Sequence, residues 1–273
     1  MRIRVSAIIG IIIIAVLVIV IIFSIKGRDK LIQQAPQKSN LSKSEILVQA
    51  AKLEAEGDYQ QARALYESLV NDFPNSPRVG DWQKKVWGFN IKLLFSPTIT
   101  EGSILYEIKS GDSLDKIAKK FNTTVYLLKK SNGLTSDTIL AGRKLKVWTK
   151  PFNIVVDKSQ NILILKSNDL VIKTYIVSTG LNNSTPIGNF KIINKLIDPP
   201  WFKAGAVVPP ESPDNILGSR WMGFDLKGYG IHGTTEPQTL GQQITQGCVR
   251  MSNSDVEELF TLVPAGTGVT IVD

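Results

Sequence analysis

The stretch NIVVDKSQNILILKSNDLVIKTYIVSTG, residues 153–180, runs in short alternating or apolar segments separated by Ser, Asn, Asp and Gly. Alternation with period two, bounded by turn residues, marks half-buried strands. NFKIINK at 189–195 repeats the texture. Residues 152–273 are enough to bury a core of their own, so the C-terminal part reads as a mainly-β domain.

That domain holds two singletons. GYGIHGT (228–234) contains the only histidine of the chain, His232, and TQGCVRM (245–251) the only cysteine, Cys248. One cysteine forms no intramolecular disulfide, and one histidine without a CxxC or HExxH pattern argues against a zinc site, so neither metal nor cofactor is expected. A lone cysteine is commonly a small buried hydrophobe. The local residues favour a nucleophile instead. Gly247 allows close backbone approach. In an extended segment Arg250 shares a face with Cys248, where a cation favours the thiolate and holds a substrate carboxylate. Gly233 and Thr234 offer a carbonyl and a hydroxyl to fix one imidazole nitrogen. An adjacent imidazole would activate the thiol as a thiolate–imidazolium pair.

IHGT followed by TQGCVRM and SNSDVEEL (252–259) resembles the signature of the L,D-transpeptidase catalytic domain of bacterial cell-wall enzymes. STGLNNSTPIGNFKI (178–192), SRWMGFDLKGYGIHGT (219–234) and VPAGTGVTIV (263–272) agree with it. The resemblance implies that Cys248 is the nucleophile and His232 the base, with the Gly233 carbonyl orienting the ring. Arg250, Gly247, Thr245 and Thr234 would line the substrate site, and backbone N–H groups near Gly247 and Cys248 would hold the oxyanion. Many members read SHGC where this chain has Thr245-Gln246-Gly247-Cys248, so a second imidazole is missing. The implied reaction is acyl transfer from the third residue of a peptidoglycan tetrapeptide stem, with release of D-alanine and a 3→3 cross-link to an amine acceptor. Water as acceptor would make an L,D-carboxypeptidase, and an inert site would leave a wall-tethering protein. DPPWFKAGAVVPPESPDN (198–215), with Trp201 and Phe202, reads as a covering loop.

Upstream, LYEIKSGDSLDKIAKKFNTTVYLLKKSNGLTSDTILAGRKLKVW (105–148) has a βααβ order and resembles the LysM module, giving a domain over 104–149. That likeness implies binding of N-acetylglucosamine-containing glycans between the loops Gly111–Leu114 and Asp137–Leu140. The candidate contacts are Gly111, Asp112, Ser113, Leu114 and Ile139. Residues 44–95 begin with two amphipathic segments broken at Gly57-Asp58. The core GDYQQAxxxYxxLxxxFP resembles one tetratricopeptide-type repeat. A lone repeat cannot bury its own face, so WQKKVWGFNIKLLFS (82–96) would cover it through Trp82, Trp87, Leu93 and Leu94. The reading is a helical spacer, with a platform for a protein partner as the other use.

Residues 1–30 carry SAIIGIIIIAVLVIVIIFSI, Ser6 to Ile25, without a charge. About 20 apolar residues span a bilayer, and no small-residue cleavage site follows, so the segment reads as an uncleaved transmembrane helix. Residues 31–43 read as a linker. Arg2 and Arg4 before the span are balanced by Lys26, Arg28 and Lys30 after it, so flanking charge does not orient it. Function does: a catalyst and a glycan binder for peptidoglycan belong outside the cytoplasmic membrane. The formal charge of +8 is spread along the membrane flank and a lysine-rich middle section, which excludes a nucleic-acid reader with one basic, aromatic-studded face. The whole is a multidomain α+β chain.

Overall fold

In the C-terminal part, alternation produces strands wherever one face of the segment is buried. In β3 (Phe152–Asp157) and β4 (Ile162–Ser167) alternate residues enter the core, among them Ile154, Val156, Leu163 and Leu165. The computed structural model describes residues 42–203 and 205–273. The expected transmembrane segment, its flanks and nearly all of the linker lie outside these residues. Among the described residues no helix is long and apolar enough to cross a membrane.

Residues 46–273 form one unit. Its centre is an eight-stranded sheet in the order β13–β11–β10–β7–β14–β3–β4–β5. The remaining strands of that sheet are β5 (Leu170–Ile176), β7 (Gly188–Ile197), β10 (Arg220–Phe224), β11 (Gly230–His232), β13 (Val249–Arg250) and β14 (Gly268–Val272). Pairing is antiparallel except for β14 with β3 and β11 with β13. The short β6 (Thr179–Gly180) pairs with β12 (Gln243–Thr245), so the STG and TQGC segments brace each other. One helix, α6 (Asn253–Leu262), packs Val256, Leu259, Phe260 and Leu262 into the core. It was not foreseen in a mainly-β reading. SNSD opens it: the Ser252 hydroxyl accepts the Asp255 N–H at 3.1 Å, an N-cap on a short apolar run.

The LysM segment pairs β1 (Ser103–Glu107) with β2 (Lys144–Trp148) antiparallel. Between them lie α4 (Leu114–Lys120) and α5 (Val125–Asn132), capped by the Ser113 and Thr124 hydroxyls. Its core is Tyr106, Ile108, Leu114, Ile117, Ala118, Leu128, Leu145 and Val147. Leu127 turns the other way, into the core of the large sheet.

The helical region comprises α1 (Lys43–Glu56), α2 (Tyr59–Asp72) and α3 (Val79–Leu94). Trp82, Val86 and Phe89 of α3 cover Ile46, Ala50, Ala62, Tyr66 and Leu69, as a lone hairpin requires. The C-terminal turn of α3 does something else. Ile91 and Leu94 enter the core of the large sheet, and the buried Asn90 amide donates to Ile172 O at 2.9 Å. Of the four covering residues expected, Leu94 therefore serves the large sheet. A helix of about 24 Å is long enough to serve two cores with its two ends.

Candidate active site

The parallel pairing of β11 with β13 sets His232 opposite Arg250. Paired residues point to the same side of a sheet, and Cys248 lies two residues before Arg250, so all three side chains share one face. Two residues along neighbouring strands separates Cα atoms by roughly 8 Å, a gap that a thiol and an imidazole leaning together span. Both line one cavity of about 580 Å³ together with Arg250, Thr245, Tyr229 and Trp221.

His232 is buried at 2% exposure, and its Nδ1 lies 2.6 Å from Gly233 O. A carbonyl only accepts, so Nδ1 carries the proton and Nε2 is left as the base. Burial brings the imidazole down to about 4; the Gly233 carbonyl resists this, the Arg250 charge adds to it, and the Leu217 carbonyl resists it again. Burial likewise pushes the Cys248 thiol up, opposed by the Gly230 N–H and by Arg250. Its Sγ lies 3.5 Å from Gly228 O, which accepts the S–H. The resting pair is a neutral thiol beside a neutral imidazole, not the thiolate–imidazolium pair anticipated. Desolvation penalises both charged forms at once.

Arg250 is no bare cation. Its Nη1 donates to Glu236 Oε2 at 3.1 Å and to Thr239 Oγ1 at 3.0 Å, which draws its field away from the thiol. Its Nε–H is buried with no acceptor among the described residues.

The turn that carries Cys248 is built by Thr245. Its hydroxyl donates to Cys248 O at 2.7 Å and accepts the Gly247 N–H at 3.1 Å. This corrects two expectations: the Thr245 hydroxyl is used within the turn, and the Gly247 N–H is spent on it rather than on an oxyanion. Gly247 has φ +122°, and a Cβ there would stand 2.7 Å from Tyr229 Cε1. Gly247 does not itself line the cavity. Thr234 is also corrected. Its hydroxyl accepts the Glu236 N–H at 2.9 Å instead of meeting the imidazole, and it too lies outside the cavity lining.

Two positioning features were missed. Asn253, the first residue of α6, accepts the Ser219 N–H at 3.1 Å and the Thr234 N–H at 3.0 Å through Oδ1. It pins both flanks of the Gly233 carbonyl. A Cβ on Gly233 would fall 2.2 Å from that oxygen, so a side chain after the histidine would displace the Asn253 amide. Trp221 stacks on the imidazole with centroids 6.1 Å apart and planes at 22°, while its indole N–H donates to Asn194 Oδ1 at 3.1 Å. Both residues lie within the quoted motifs, but only strand pairing brings them to the histidine.

The covering segment forms a hairpin of β8 (Trp201–Lys203) and β9 (Ala206–Val208). The buried Asn215 amide closes its base on Pro199 O at 2.9 Å and Pro209 O at 3.2 Å. Trp201 and Phe202 line the cavity, and Phe202 is 73% exposed.

In the LysM segment Gly111 and Ser113 are exposed, and Gly111 takes φ +83° at the turn. Asp112 accepts the Lys109 N–H at 2.8 Å and the Tyr106 hydroxyl at 2.9 Å, so its carboxylate shapes the loop. Leu114 is 2% exposed in the module core, which leaves only its backbone to a ligand. Ile139 is half-buried against the same core. No group of three or more metal-ligating side chains occurs among the described residues.

The chain is similar in sequence to known proteins. The family model for the L,D-transpeptidase catalytic domain (YkuD) matches residues 151–271, and that for the LysM domain matches residues 106–148. The putative L,D-transpeptidase YkuD of Bacillus subtilis is 33% identical over 175 residues, 62% of this chain and 98% of that protein. The putative L,D-transpeptidase YqjB of the same organism is 40% identical over 126 residues, 44% of this chain and 70% of the relative. Among solved structures, an L,D-transpeptidase from Mycobacterium tuberculosis H37Rv overlaps with a TM-score of 0.40 at 14% identity, covering 50% of this chain and 75% of that one. An overlap that low carries no weight beside the sequence matches.

Proposed function

The chain belongs to the L,D-transpeptidase family and carries a LysM domain, and from that premise we propose that it is a membrane-anchored peptidoglycan cross-linking enzyme working through Cys248. The observation that carries the reading is the single cysteine sharing a cavity with a histidine whose Nδ1 is held by Gly233 O.

In the proposed reaction the Cys248 S–H proton passes to His232 Nε2 as sulfur attacks the carbonyl of the third stem residue. The bond to D-alanine breaks, and the imidazolium returns the proton to the departing amine, leaving a thioester. An amine of a neighbouring stem then attacks the thioester and gives its proton to His232. The new amide forms as the thiolate leaves and regains that proton. Trp221 presents its π-face to the imidazolium that forms transiently. The Cys248 N–H is the oxyanion donor, since that of Gly247 is spent. Arg250, which lines the cavity, would hold a substrate carboxylate. The LysM loops would hold N-acetylated glycan next to the catalyst, and Ser6–Ile25 would anchor the chain with residues 42–273 on the outer side, where this polymer lies.

The test is intact-protein mass after exposure to a carbapenem, a ring-strained acyl donor. One covalent adduct is expected on the wild type, none on Cys248→Ala, and slow formation on His232→Ala. A disaccharide-tetrapeptide assay with and without an amine acceptor then separates cross-linking from hydrolysis. No adduct on folded protein would refute the activity.

A further inference from the structure

The charge balance of the catalytic cavity is set from outside it. Of the described residues that line the cavity, those that titrate or carry charge are Cys248, His232, Tyr229 and Arg250, and no carboxylate is among them. The Arg250 side chain is 7% exposed, so little water screens it from the cavity. A cation in that place favours the thiolate of Cys248 and disfavours the imidazolium of His232.

Behind the cavity Arg250 meets a carboxylate. Its Nη1 donates to Glu236 Oε2 at 3.1 Å and to Thr239 Oγ1 at 3.0 Å, and neither residue is among those that line the cavity. The turn that presents Glu236 is held by its backbone. The Glu236 N–H donates to Thr234 Oγ1 at 2.9 Å, and the Thr239 N–H to Glu236 O at 3.1 Å. The buried Ser178 hydroxyl donates to Thr239 O at 2.6 Å. Ser178 in turn exchanges both backbone hydrogen bonds with Arg250, at 2.8 and 2.9 Å. Arg250 is thus tied to one 3₁₀ turn, Pro237–Thr239, through its backbone by way of Ser178 and directly through its side chain. That double attachment keeps the carboxylate against the guanidinium.

We propose that Glu236 is a positioning residue for the nucleophile: by neutralising Arg250 it keeps Cys248 protonated at rest, so that the S–H proton is on hand for the departing amine. This deepens the proposed acyl transfer and rests on it. In that reaction the proton moves from sulfur to His232 Nε2 and then to the amine of the leaving residue. A thiolate that has already lost its proton to solvent leaves His232 with none to return. The neutral thiol is also the poorer target for stray electrophiles. Glu236 therefore acts on the chemistry through Arg250 alone, from a turn whose backbone bonds do not depend on its side chain.

The experiment is the pH dependence of iodoacetamide alkylation of Cys248 in the purified full chain, which needs no substrate. Glu236→Gln keeps an acceptor for Arg250 and removes the charge. Its alkylation midpoint is expected to fall by about half a pH unit, roughly threefold more thiolate at neutral pH, the scale for one half-exposed charge acting through a neighbour. Glu236→Asp brings the midpoint back toward the wild type. Thr239→Val, which removes the other Nη1 acceptor without a change of charge, leaves it in place, as does Glu67→Gln, the same charge change on α2. A wild-type midpoint in Glu236→Gln overturns the proposal, as does an equal fall in Thr239→Val or in Glu67→Gln. In tetrapeptide acylation the alkaline limb of the Glu236→Gln profile should move down with the alkylation midpoint; a limb that stays at the wild-type pH overturns the role in proton supply. If alkylation shifts as expected but the wild type forms no carbapenem adduct and turns over no tetrapeptide, the activity fails while the hold of Glu236 on the thiol stands.

Discussion

His232 is the only histidine, so its protonation can be followed without assignment. In the unfolded chain it titrates near 6.5; burial takes it to about 4 in the folded protein. Above 6.5 both states hold a neutral ring and the group adds no pH dependence. As pH falls from 6.5 to about 4 the unfolded chain gains a proton that the folded one refuses, so folding stability drops through that window and levels off below it. The gap corresponds to about 3 kcal/mol at about 1.36 kcal/mol per pKa unit. Urea unfolding of the wild type and His232→Gln across this range reads it directly, because the carboxylates contribute alike to both. The wild type is expected to lose about 3 kcal/mol more than the variant. In parallel, the single imidazole Cε1–H resonance stays at its neutral position down to about pH 5. Iodoacetamide alkylation of Cys248 should rise with pH into the alkaline range, since burial raises the thiol. A resonance that titrates near 6.5 or higher, or an alkylation plateau across neutral pH, would refute the neutral pair and restore the ion pair.

Three substitutions test the frame around that pair. Gly247→Ala forces a side chain into φ +122° and against Tyr229; a loss of about 1–3 kcal/mol by thermal unfolding is expected, with slower carbapenem acylation. Asn253→Ala leaves the N–H groups of Ser219 and Thr234 without their acceptor, which costs about 2–4 kcal/mol in urea and lowers kcat more than it raises KM. Thr245→Val removes both hydrogen bonds of the nucleophile turn, and acylation should slow about tenfold while Cys248 stays alkylatable at high pH. Wild-type behaviour in any one of them would show that its contact does not hold the site in place.

Alternation in NIVVD and NILILKS foretold β3 and β4 because each has one buried face, a property local to the segment. A candidate nucleophile and base were legible too, in a chain with one cysteine and one histidine. The roles of Thr245 and Thr234 were not legible. A hydroxyl has several acceptors within reach, and only the turn decides that Thr245 takes Cys248 O and Thr234 takes the Glu236 N–H.

The sequence by itself singled out Cys248 and His232 and marked most of the strands and the helices upstream of the large sheet, since composition and periodicity act over a few residues. Tertiary structure alone decided the charge state of the pair, because desolvation depends on everything packed around a group, from Arg250 to the carbonyls of Gly233 and Leu217. It also decided that Asn253 and Trp221 serve the histidine, and that Leu94, Leu127 and Asn90 fuse three apparent modules into one unit. Those contacts join residues far apart in the chain, and no local pattern records which distant surface a given side chain will meet.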